Sequence, residues 1–281
     1  MPHTRLILPA LICALLLASC TKRGGHPNEE ILTEDTEDTS SGMRILMLDF
    51  NSGDFPREVD SADVYASWLG VVQLEHNTFD IREAKPVFRK MPDPFADGDD
   101  TLDLSTWGAT WHSANKGFLY SPGDASPLAS FTGTRPGRFA KERNFDHIKL
   151  NRPTIWIDTF SINGTKYELH RSFVDTMEEY SWTNSDGKHY VDSTNFIRHF
   201  RLDLRTSISG KMVIQPLATQ DTAFGVPSPI WMGDLDGDGK LDLIIDMGNG
   251  DEESLPTLFL SSRARNGRLV RAVAQRIAGG C

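Results

Sequence analysis

The chain has 281 residues, a formal net charge of -10 and a pI near 5.3. That length is enough for one large domain, or a domain with a smaller module, around a real hydrophobic core. The acidic balance excludes a nucleic-acid surface, which needs clustered Lys and Arg. The nearest basic stretch, Arg135 to Arg143, reads as a solvated loop.

The first twenty residues, MPHTRLILPALICALLLASC, place a positive Arg5 before a short apolar run from Leu6 to Leu17 that ends in small residues. This is the pattern of a secretory signal. The run stops at Cys20 and Lys22, short of the about 20 apolar residues that a spanning helix needs. Leu17-Ala18-Ser19-Cys20 resembles the bacterial lipobox. The resemblance implies that residues 1–19 are removed and that Cys20 becomes an acylated first residue, with the membrane as partner through its lipid. Two or more chains on that Cys would hold firmly, since each buried CH₂ contributes about 0.8 kcal/mol. Thr21 stands where an Asp would signal inner-membrane retention, so the same analogy favours the outer membrane. Cys13 leaves with the leader and Cys20 is blocked, which leaves Cys281 as a free thiol or a point for an intermolecular bridge.

From residue 20 to residue 42 the composition is polar, and Glu29 to Ser41 holds six acids and no base. Too little apolar surface is present to offset the entropy of ordering, so the segment reads as a tether. A β-rich domain is expected over 43–223, opening at Arg44 to Phe50. Ser61 to Leu69 is the best helical candidate, with Val64, Trp68 and Leu69 on one face, and Pro86 to Ser126 reads as long loops around Leu102 to Trp111. Asp97, Asp99, Asp100 and Asp103 read as a solvated loop. Three hairpins follow. Asn163-Gly164, Asp186-Gly187 and Ser209-Gly210 each separate runs of strand-forming residues and suit tight turns. The fold class is therefore mainly β and antiparallel.

The sharpest chemistry lies between Gly233 and Asp242. Acids at Asp234, Asp236 and Asp238 alternate so that a coiling loop can turn their carboxylates inward; Gly239 permits the bend, the Lys240 carbonyl can reach in, and Asp242 closes the shell. Hard oxygen donors at that density suit Ca²⁺ better than Mg²⁺, which demands stricter octahedral geometry. An EF-hand starting at Asp234 would carry a Glu at its twelfth position, which here is Ile245 within the strand-like Leu243-Ile244-Ile245. With Thr257 to Ser262 and Arg268 to Val273, the tail reads as a four-stranded unit.

Residues 233 to 245, with Phe224-Gly225 upstream, resemble the FG-GAP or integrin-alpha-type repeat, also seen in VCBS-repeat proteins. The resemblance implies a calcium-binding unit over 224–281, with ligands from Asp234, Asp236, Asp238 and Asp242 and from the Lys240 carbonyl. A single loop of this kind is too few for a regular propeller. The expectation is a β-rich body with the unit packed against it; a small degenerate propeller is the alternative.

No Gly-x-Ser-x-Gly elbow, His-Glu-x-x-His zinc motif or phosphate-cradling glycine loop occurs, and no catalytic set can be named. The histidines beyond the leader, from His26 to His199, are dispersed. Trp107 and Trp111 could stack on a glycan or anchor a protein partner, or plug the core. The expected function is a membrane-anchored, non-catalytic binding, adhesion or envelope-assembly lipoprotein with a structural calcium site. The alternative is a carbohydrate-active hydrolase whose acid and base come from distant strands.

Overall fold

The computed structural model describes residues 42–47, 63, 65–75, 77–91, 106–110, 117–123, 132–140, 151–183, 187–223, 225–248 and 254–276. The leader, Cys20, the acidic tether, the acids from Asp97 to Asp103, Trp111 and Cys281 lie outside them.

Fifteen strands run through the described residues. The first seven are β1 (Arg44–Met47), β2 (Trp68–Glu75), β3 (Thr78–Ala84), β4 (Val87–Met91), β5 (Thr106–Thr110), β6 (Gly117–Ser121) and β7 (Gly133–Phe139). Four longer ones follow: β8 (Pro153–Ile162), β9 (Thr165–Thr183), β10 (His189–Ile208) and β11 (Lys211–Ala223). The chain closes with β12 (Ser228–Gly233), β13 (Asp242–Asp246), β14 (Pro256–Leu260) and β15 (Arg271–Gln275). The protein is mainly β and antiparallel, as its sequence leads one to expect. The expected hairpins β8–β9, β9–β10 and β10–β11 are all formed. Two of their turns take positive φ at both central residues, 47° and 78° at Asn163 and Gly164 and 51° and 76° at Ser209 and Gly210. Such turns match the twist of the strands they join.

Three sequence expectations are corrected. Trp68 and Leu69 belong to β2, because pairing with β3 and β6 buries both and overrides a short helical pattern; only Asp63 and Tyr65 of the described residues there are helical. The supposed loop region Pro86 to Ser126 carries β4, β5 and β6, and Trp107 lies on β5. Arg135 is on β7 rather than in a solvated loop.

Nine strands form one sheet in the order β1-β6-β2-β3-β7-β12-β13-β14-β15, and β11-β10-β9-β8 form a second. The chain leaves the large sheet after β7, builds the second, and returns at β12 against β7. The four tail strands thus continue the sheet of the N-terminal ones. The large sheet is nearly closed, with β1 and β15 brought together. A buried Asp63 clasps this seam. Its carboxylate accepts Arg44 Nη1 at 3.0 Å and Arg276 Nη1 at 2.9 Å, and its carbonyl accepts Trp68 Nε1 at 2.9 Å.

Strand β13 serves two cores, which explains its unbroken apolar run. Leu243 and Ile245 pack with Phe173, Phe200 and Leu204 of the second sheet, whereas Ile244 packs with Phe79, Phe118 and Trp231 inside the large one. Phe79 and Phe118 meet the Trp231 ring edge-on at 5.5 and 5.4 Å. That indole lies against the backbone of β7 and β12. A Cβ on Gly233 would stand 2.5 Å from Trp231 Cζ2 and 2.7 Å from both Gly137 Cα and Pro136 O. Backbone cannot yield as a side-chain tip can, so Gly233→Ala is expected to cost at least about 1–3 kcal/mol in urea denaturation.

The outward face of the second sheet carries Glu168, which accepts hydrogen bonds from His170 Nε2 at 2.9 Å and Lys166 Nζ at 2.5 Å. These bonds, His170 first, hold its carboxyl down to about 2 from 4.5. A depressed carboxyl stabilises the fold above its unfolded value and loses that contribution as pH falls. Carboxyl NMR should show Glu168 titrating near pH 2, and its stabilisation fading between pH 4.5 and 2. A midpoint at the unfolded value would show that the two bonds do not form in solution.

Candidate metal centre

The loop between β12 and β13 is coiled by two left-handed glycines, Gly237 at φ 81° and Gly239 at φ 80°. Its carboxylates bind its own backbone. Asp234 accepts Gly237 N at 2.7 Å and Gly239 N at 3.1 Å. Asp236 accepts Asp238 N at 3.3 Å, and Asp238 accepts Lys240 N at 2.8 Å. Fully buried Asp242 is the hub: one oxygen accepts Leu235 N at 2.8 Å and the other Ser261 N at 2.8 Å, so it joins the loop to the end of β14.

Ser261 and Ser262 close the far side. Ser261 Oγ lies 3.0 Å from Asp242 Oδ1 and 3.0 Å from Asp238 Oδ2, and with one proton it can donate to only one of them at a time. Ser262 Oγ donates to Asp236. From outside the tail, Arg135 Nη1 donates to Leu235 O at 2.8 Å and Asn163 Nδ2 to Gly239 O at 3.1 Å.

Of the residues singled out from sequence, the loop brings oxygens of Asp234, Asp236 and Asp242 within 4.8 Å of one another, close enough to share a metal ion. Asp238 stands outside that trio, held by Ser261 Oγ and 3.7 Å from Lys240 Nζ. Lys240 takes part through its N–H and its ammonium, both directed at Asp238. Burial pushes the Asp242 carboxyl well above the usual carboxylate range, and the charge of Asp236 adds to the push. Asp234 is raised as well, again mainly by burial. The hydroxyl of Tyr120, on β6, is raised by burial and by the charges of Asp236 and Asp242. Carboxylates taken out of water beside one another favour whatever neutralises them, a proton or a cation, so this donor set fits a bound cation.

Sequence reading missed Arg135, Ser261, Ser262 and Tyr120. Arg135 is a hundred residues from the carbonyl it binds, and nothing local marks it. Ser261 and Ser262 end a predicted strand, and only the need of a carboxylate-dense loop for hydroxyl donors could have pointed to them.

Comparison with known protein families, curated proteins and solved structures finds no match for this chain.

Proposed function

We propose that this chain is an extracytoplasmic lipoprotein, anchored by acyl chains on Cys20, whose β-rich body is a non-catalytic binding, adhesion or envelope-assembly protein braced by one calcium ion. The observation that carries the calcium reading is the clustering of Asp234, Asp236 and Asp242 at the junction of β12, β13 and the chain after β14. All three donors are hard carboxylate oxygens, which suit Ca²⁺. Asp238 and the Lys240 carbonyl complete the set implied by the resemblance to FG-GAP repeats. Chain 20–42 then spaces the body from the membrane, and a protein or glycan is the partner to seek.

The role of the ion is stabilising. Calcium at ten times its dissociation constant favours the folded form by about 1.4 kcal/mol. Melting of the full chain should rise with added Ca²⁺ and fall with chelator, and Asp236→Ala with Asp238→Ala should flatten that response. A response retained by the double variant places the ion elsewhere. Independently, Cys20→Ser should abolish lipid labelling and release the protein from membranes; continued membrane association of that variant would refute the anchor.

A further inference from the structure

After Glu253 the chain contains five arginines, Arg263, Arg265, Arg268, Arg271 and Arg276, and no acid, within a protein of net charge -10. Arg263, Arg265 and Arg268 are exposed on the connection between β14 and β15. That connection is tightly fixed. Ala264 N donates to Ser261 O and Arg268 N to Arg265 O, both at 3.0 Å. Gln215 of β11 binds Leu269 N, Val270 N and Val270 O from beneath, and Ser261 and Ser262 hold the carboxylate loop. A rigid, arginine-bearing surface loses little side-chain and loop entropy on meeting an anionic partner.

Strand direction says what lies nearby. Every neighbouring pair in the large sheet is antiparallel, so β1, β7, β13 and β15 run the same way and begin at the same end. The β14–β15 connection, the Asp234–Asp242 loop and Gly42 therefore share one end of the nearly closed sheet. Gly42 lies beside Gly123, just past β6, and β6 carries Tyr120, whose hydroxyl sits in the fields of Arg263 and Arg135. Immediately before Gly42 comes the run with six acids and no base, Glu29 to Ser41. At about 3.3 Å per residue, chain 29–42 can reach roughly 40 Å, ample to cross one end of a nine-stranded sheet.

We propose that the acidic segment Glu29–Asp38 docks on the surface formed by Arg263 and Arg265 of its own chain. Docking draws the segment against the body, and its release lets the body stand further from the residues that precede it. The carboxylates of the Asp234–Asp242 loop oppose the segment's charge, and a bound cation offsets them, so docking tightens with calcium. This last clause rests on the calcium reading; the docking itself does not.

The test is cleavage of the full chain by a glutamate-specific protease, read at the sites within residues 29–37. At low salt, R263Q/R265Q should be cut about threefold faster than wild type, as two exposed pairs of a few tenths of a kcal/mol each would give. High salt should bring wild type to the same rate. Reversing charge on both sides, with Arg→Glu at the two positions and Lys at the six acids, followed with a lysine-specific protease, should restore protection. Unchanged melting of the variants separates docking from folding. Equal cleavage of wild type and the arginine variant at low salt overturns the proposal. So does protection that grows with protein concentration, which assigns the surface to a second copy. Equal cleavage with binding of phosphatidylglycerol vesicles by wild type alone assigns it to lipid headgroups and also overturns it. Protection that ignores calcium yet vanishes in the arginine variant upholds the docking and removes support from the calcium reading.

Discussion

Asp242→Ala is expected to remove about 3–5 kcal/mol from the fold in chelator, the largest loss of any single change to the carboxylate loop. Asp242 is fully buried and accepts Leu235 N and Ser261 N, both at 2.8 Å, while Ser261 Oγ divides its one proton between Asp242 and Asp238. Hydrogen bonds to a charged group contribute about 1.5–3 kcal/mol each, and a buried N–H left without a partner costs about 1–3 kcal/mol. Burial tempers the sum, because it disfavours the charged carboxylate that these donors stabilise. Asp242→Asn should fall between: its oxygen still accepts from Ser261 N, but its NH₂ confronts Leu235 N–H. Urea denaturation with chelator and with calcium checks both points. A loss in chelator under about 1 kcal/mol would mean that Asp242 is not the junction of the two segments.

Asp63→Ala should cost a similar amount by a different route. Asp63 is fully buried between Arg44 at the start of β1 and Arg276 just after β15. Its one buried carboxylate serves two guanidiniums, Arg276 largely buried and Arg44 partly exposed, and losing the buried member of such an ion pair costs about 3–5 kcal/mol. The exchange pattern distinguishes this loss from a generic one. Amide hydrogen exchange should accelerate together in β1 and β15, since the clasp spans the seam between them, while the β9–β10 hairpin keeps its protection. Acceleration spread evenly over both sheets would contradict the clasp.

Local chemistry explains what could be read from the sequence. Asn163-Gly164 and Ser209-Gly210 announce their turns because few other pairs tolerate positive φ at both residues. The loop from Asp234 to Asp242 stands out because alternating acids and glycines have little other use there. What escaped depends on partners far along the chain. Trp68 and Leu69 fit a short helix until β6 and β3 pair on either side of them. Arg135 looks like one charge in a basic run until β7 meets β12 and its guanidinium reaches Leu235 O. Asn163 was legible as a turn residue, yet its second task, donating to Gly239 O, requires the two sheets to be packed together.

The pairing of β7 with β12 also sets a timetable. Between them in the chain lie β8 to β11, which pair only with one another in the second sheet. As the polypeptide emerges, the hairpins of that sheet can form at once from near neighbours. Strands β1, β6, β2, β3 and β7 meanwhile present an open, partly apolar edge with no strand to complete it until residues 231–233 arrive. Closure comes last of all, when Arg276 reaches Asp63 across 213 positions. Topologies dominated by such distant pairings fold slowly and leave edges open to intermolecular contact. The N-terminal half of the large sheet therefore depends on the last fifty residues for its solubility as much as for its shape.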